Sequence, residues 1–145
     1  MNWTQPFIDC MMSFVRSPSI DKLEVYSMLR ANGYRDVCLS EVGSVLNQMI
    51  TSSIHIPQYM INGIGKNDIA LLRESVERIV IIMHKALFFV QCYKEIIGVE
   101  NADRHLLDGI RNNCMIEDDV EICEIANVRA TIIDKINTYV NAICR

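Results

Sequence analysis

From Asp68 to Ile97 the chain has neither glycine nor proline. Nothing in those roughly thirty residues breaks a helix, so one helix of roughly 45 Å is expected there. Cysteine pairs of the C-x-x-C type are lacking too. None of Cys10, Cys38, Cys92, Cys114, Cys123 and Cys144 stands at zinc-ligand spacing from His55, His84 or His105. The thiols therefore read as reduced, small core hydrophobes, because a disulfide framework belongs to smaller, loop-rich, secreted chains. Lysine and arginine never cluster, and the formal net charge is −4, which argues against a nucleic-acid partner and a membrane-surface role.

Long hydrophobic runs are also missing. No apolar stretch approaches the roughly 18 residues of a membrane span. The longest, Ile79 to Met83 and Ala86 to Val90, are split by His84-Lys85. The N-terminus shows no basic segment ahead of an apolar one, and no apolar anchor closes the sequence. We therefore expect either a soluble intracellular chain with no membrane span or a chain trimmed of its anchor.

Catalytic signatures are absent: no G-x-S-x-G elbow, no phosphate-binding glycine loop, no H-E-x-x-H pair. His84 and Cys92 lie eight positions apart, about 12 Å along a helix, too far for a thiolate–imidazole pair. Spacing leaves open a cysteine acting with His55 or His105. The expectation is a protein that is not an enzyme and needs no cofactor or metal.

What is present is apolar and helical in period. Half of the 145 residues are hydrophobic, enough for one domain, residues 1–145, with a core of its own. Helix-length pieces follow one another between breaks. The first runs from Gln5 to Arg16, with Phe7, Ile8, Met11, Met12 and Val15 in phase. Pro6 suits its first turn, and Ser17-Pro18 ends it. The second starts at a Ser19 cap, carries Leu23, Tyr26 and Leu29 on one face, and closes at Asn32-Gly33. The third covers Val37 to Thr51. Its Gly43 marks either a close helix contact or a weak point.

Pro57 opens a short turn before Gly63 and Gly65. Asn67 or Asp68 caps the long helix and Gly98 ends it. Asn101 to Asn112 forms a sixth piece. Glu117 to Asn127 forms a seventh, its acids at the positive end of the helix dipole. Val128 onward forms an eighth, either separate from the seventh or continuous with it. Only Ser53 to Ile56 hints at a strand.

An ordinary surface helix has one apolar stripe, and the long helix is apolar nearly all round, so it is expected at the centre of a bundle. Its polar residues recur at seven: Glu77, His84 and Gln91 form one stripe, Arg78 and Lys85 another.

Ser75-Val76-Glu77-Arg78-Ile79-Val80, leading into an apolar helix, resembles the central segment of Bcl-2-like apoptosis regulators. There an Asn-Trp-Gly-Arg motif is commonly followed by Ile-Val, and here its Arg78-Ile79-Val80 end matches. Leu29-Arg30-Ala31-Asn32-Gly33 resembles the family's Leu-Arg-x-x-Gly homology core, with Tyr34 in place of the following acid. The helix order agrees, while the Trp and Gly before Arg78 and the C-terminal Trp motif are missing. Such erosion, in a short Ile- and Met-rich chain, fits a viral member.

The resemblance implies an all-α, Bcl-2-like bundle of seven to eight helices around the central helix, about residues 68–97. It implies inhibition of apoptosis in the host cytoplasm, at mitochondria through partners, by sequestering an amphipathic death-promoting helix of a host protein. Arg78 then meets that helix's conserved Asp. Val42, Leu46, Met49, Leu72, Val76 and Ile79 form the groove walls, or else ordinary core. The high apolar content allows a homodimer. Some viral relatives lack an open groove and block innate immune signalling through other faces. Leu106-Leu107-Asp108 through Glu117-Asp118-Asp119 to Ile133 resembles the middle of a caspase-recruitment domain, which implies a death-fold adaptor instead. A plain cytokine-like four-helix bundle is the third architecture.

Overall fold

The computed structural model describes residues 2–54, 66–99, 105–117 and 119–145; for residues 66–68 and 122 only the backbone is described. Six α-helices, one 3₁₀ turn and no strand occur among the described residues. They are α1 (Thr4–Arg16), α2 (Lys22–Asn32), α3 (Leu39–Ser53), α4 (Lys66–Ile96), α5 (His105–Asn113) and α6 (Ile125–Ile143), with the 3₁₀ turn at Ile122–Glu124. The expected turn at Pro57 and the end of the hinted strand lie outside the described residues.

α4 is the axis, in contact with each of the other five helices, while α3 and α6 close one side against each other. Its two halves differ. From Ala86 to Lys94 every residue except half-buried Phe88 is buried. Earlier, only one face is: Leu72, Val76, Ile79, Val80 and Met83. The expectation of a rod buried on most sides therefore holds for the C-terminal half alone.

Local chemistry explains the helix ends. α2 is capped by Asp21, whose Oδ1 accepts from Leu23 N at 2.9 Å. Ser19, the expected cap, sits two residues earlier, with its Oγ accepting from Asp21 N at 3.1 Å. Gly33 closes α2 in the left-handed region, φ 65°. Gly98, φ 77°, closes α4 with Val99 N donating to Lys94 O (3.0 Å) and Gly98 N to Glu95 O (3.2 Å), a Schellman motif. Two cations from other helices also satisfy C-terminal carbonyls, at the negative dipole end. Lys85 Nζ donates to Val15 O (3.2 Å) and to Ser17 O beyond α1. Arg129 of α6 donates to Thr51 O (3.3 Å) and Ile54 O at the end of α3.

Three sequence expectations change. Leu23 is 71% exposed, because Val25 and Leu29 form the inward face of α2. The seventh piece is α-helical only from Ile125, after the 3₁₀ turn, and runs unbroken into the eighth as one helix, α6. Glu117 and Asp119 precede that turn, so they do not occupy a first helical turn. Gly43 does mark a close contact: a Cβ there would stand 3.1 Å from Cys144 Cβ, against the end of α6.

Candidate functional site

The outward face of α4's first half is built by periodicity. Leu71, Glu74, Arg78 and Ile81 follow i, i+3, i+7 and i+10, one face of a helix. The buried residues Leu72, Val76, Ile79 and Met83 take the opposite side. Leu71 is 55% exposed and Ile81 56%, so two large aliphatics stand in water on the helix that the other five helices contact. Between them Arg78 Nη2 donates to Glu74 Oε1 at 3.2 Å across one turn. Glu77 stands exposed beside them. The strip offers apolar contact at both ends and a guanidinium fork in the middle, the elements that hold an amphipathic helix carrying one carboxylate.

The residues singled out from sequence fall into two groups. Val42, Leu46, Leu72, Val76 and Ile79 belong to the single buried core cluster, none more than 5% exposed, and half-buried Met49 packs against it. The structure brings these six together as core. Arg78 lies on the other side of α4, in solvent. Sequence reasoning missed Leu71 and Ile81, although part of the signal was present: with half-buried Ile82 they are apolar residues near the phase of Arg78 and out of phase with Val76.

The remaining polar residues of α4 have different tasks. The Glu77–His84–Gln91 stripe runs from exposed through half-buried to buried. His84 and Cys92 line one cleft of about 310 Å³ with Lys22, Phe88, Leu107 and Asp108. Burial, and then the nearby Arg111 cation, hold the His84 pKa below its usual value, with Asp108 opposing. At the rim of that cleft Lys22 Nζ pairs with Glu95 Oε2 at 2.9 Å, and Tyr26 donates its hydroxyl to the same oxygen. Lys85 lies over the Phe14 ring, 5.0 Å from its centroid, besides closing α1.

The cysteines divide by environment, and all six are free. Cys92, Cys114 and Cys144 are buried as expected of core thiols. Burial pushes Cys144 up to about 12 and Cys114 to about 11. Cys38 is exposed at the start of α3, where the Ser40 hydroxyl and then the Glu41 main-chain N–H lower its pKa. Among the described residues no group of His, Cys, Asp and Glu is placed to hold a metal ion, and no helix is long and apolar enough to cross a membrane.

Compared with protein-family models, curated proteins and solved structures, the chain finds no match.

Proposed function

We propose that the protein is a Bcl-2-like regulator that inhibits apoptosis by binding a pro-apoptotic amphipathic helix, without chemistry of its own. One observation carries this reading: the central helix leaves Leu71, Arg78 and Ile81 in water along a single face. An exposed face on the axis of a bundle is where a further helix can complete the packing. The two aliphatics provide its anchors, and Arg78 selects for a carboxylate. The resemblance points the same way, since the matched Arg78-Ile79-Val80 places its arginine outward and its two aliphatics in the core.

The docking surface in this proposal differs from the walls expected from sequence. Val42, Leu46, Leu72, Val76 and Ile79 act as core beneath the site, and the partner rests on Leu71 and Ile81. That same burial supports a second reading, in which the protein has no open groove and blocks immune signalling through an outer face.

Calorimetric titration with a panel of host death-promoting helix peptides separates the two. Capture predicts submicromolar binding, more than about 8 kcal/mol, by at least one peptide. Failure of the whole panel leaves the signalling reading in front.

A further inference from the structure

A second cleft lies between the C-terminal ends of α2 and α4, where Gly33 and Gly98 stop the two helices. It measures about 520 Å³ and is lined by Leu29, Arg30, Tyr34, Arg35, Ile96 and Ile97. Its floor is apolar and partly uncovered: Ile96 is 39% exposed, Ile97 37%, and Val99 beside them 46%. Its edge is cationic. Arg30 stands 5.9 Å from the Tyr26 ring centroid. The Arg35 guanidinium makes no hydrogen bond or ion pair among the described residues; its main-chain oxygen is what accepts from the Tyr93 hydroxyl at 3.3 Å. In a chain of net charge −4, the two charged side chains that line this cleft are both arginines, with exposed Asp36 beside Arg35.

We infer that this cleft is a second docking site, whose occupant is an acidic–apolar segment of a partner protein: bulky aliphatic side chains with carboxylates beside them. Charge complementarity selects that occupant. A basic segment is repelled by Arg30 and Arg35, and a neutral one leaves both forks solvated, whereas a carboxylate takes a planar two-point contact from a guanidinium. The long-range field of an acidic protein repels acidic segments elsewhere and admits them here. The cleft is also held in shape. The Schellman turn fixes Ile97, Gly98 and Val99. Tyr93, buried in α4, donates to Arg35 O and accepts from Val37 N at 3.4 Å, which pins the strand of chain between α2 and α3. Such pre-organisation lowers the ordering cost of binding. The site is separate from the Arg78 strip, since eighteen residues of helix put Ile96 roughly 27 Å along the axis from Arg78.

The test is an amide-shift titration of the Arg78→Glu protein, so that the α4 strip does not contribute. The probe is a short synthetic peptide, acetylated and amidated, with Leu at i, i+3 and i+7 and Glu between them; its counterpart has Gln for every Glu. The expected result is saturable shifts at Gly33, Arg35, Ile97 and Val99 with a Kd on the order of 100 μM or tighter. Arg35→Glu and the Gln peptide each weaken binding at least tenfold, with the thermal midpoint unchanged. Shifts centred elsewhere, an Arg35→Glu protein that binds as well, or equal affinity for the Gln peptide overturn the inference. So does decanoate that fills the same site and displaces the peptide, because the cleft then takes a small carboxylate. Ile97→Ser gives a second check, as it trims the apolar floor without touching charge and must also weaken the peptide. Because the strip is disabled throughout, failure here leaves the proposed helix capture untouched.

Discussion

Arg78 and Glu74 are paired across one turn of α4, 3.2 Å apart, with both side chains mostly in water. A pair of that kind contributes only about 0.3–0.5 kcal/mol. It orients the guanidinium without committing it, so an incoming carboxylate can take Arg78 at little cost. Arg78→Glu is expected to weaken a death-promoting helix at least tenfold, about 1.4 kcal/mol, because attraction becomes repulsion. Glu74→Gln is expected to strengthen it by no more than a few-fold. Calorimetry on the two variants measures both, and unchanged affinity for Arg78→Glu removes Arg78 from the site.

Leu46 and Leu71 separate core from surface. Leu46 is fully buried, so Leu46→Ala is expected to cost about 2–5 kcal/mol of stability. Leu71→Ala and Ile81→Ala on the open face are expected to shift stability by about 0.5 kcal/mol or less, and to weaken peptide binding. Urea unfolding and peptide titration on the same three proteins check the contrast. A Leu46→Ala protein as stable as wild type is incompatible with the packing described.

Lys85 is structural. Its Nζ closes the end of α1 at Val15 and Ser17 and lies over Phe14. Lys85→Met keeps the apolar stem and removes the donor. The expected loss is about 1–2 kcal/mol, seen in urea unfolding, with peptide affinity unchanged.

His84 makes stability depend on pH. Burial depresses its pKa in the folded state, so below the unfolded value of about 6.5 the unfolded chain binds the extra proton. Stability is therefore fully present above about pH 6.5 and falls as pH drops toward the depressed folded value. His84→Gln is expected to flatten this part of the profile in a pH series of thermal midpoints. An identical slope in the variant excludes His84 as the source.

The thiols should react in an order set by exposure and charge. Cys38, exposed and with a lowered pKa, is expected to label first with an alkylating reagent at pH 8, and Cys144 only on unfolding. Peptide mapping after timed quenching reads the order. Above about pH 9, the ordinary thiol value, the unfolded chain releases protons that folded Cys144 and Cys114 retain. Stability is thus lost as pH rises past that point.

Much of this architecture was legible in the sequence. The gap in glycine and proline marked α4, Ser17-Pro18 marked the end of α1, and Asn32-Gly33 the end of α2, because each acts through local backbone chemistry. Faces were harder to read. Leu23 fits the period of α2 yet points outward, since the side of an amphipathic helix that is buried depends on which neighbour arrives. The same holds for α4: composition made it apolar nearly all round, but only tertiary packing leaves its first half open and closes its second. Lys85 and Arg129 were illegible for a related reason, since the carbonyls they close belong to helices far away in sequence. Val76 and Ile79, legible from sequence as groove wall or as core, are buried because they are out of phase with Arg78, and phase was the signal to follow.

Methyl chemical shifts give the most direct test of helix capture on the open face of α4. Protein with labelled Leu, Ile and Val methyls is titrated with the tightest death-promoting helix peptide. The expected result is large shifts and peptide contacts at Leu71 and Ile81, while Val42, Leu46, Val76 and Ile79 stay close to their free positions. Contacts to those four interior methyls, with Leu71 and Ile81 unmoved, contradict the account and place the partner inside an opened core.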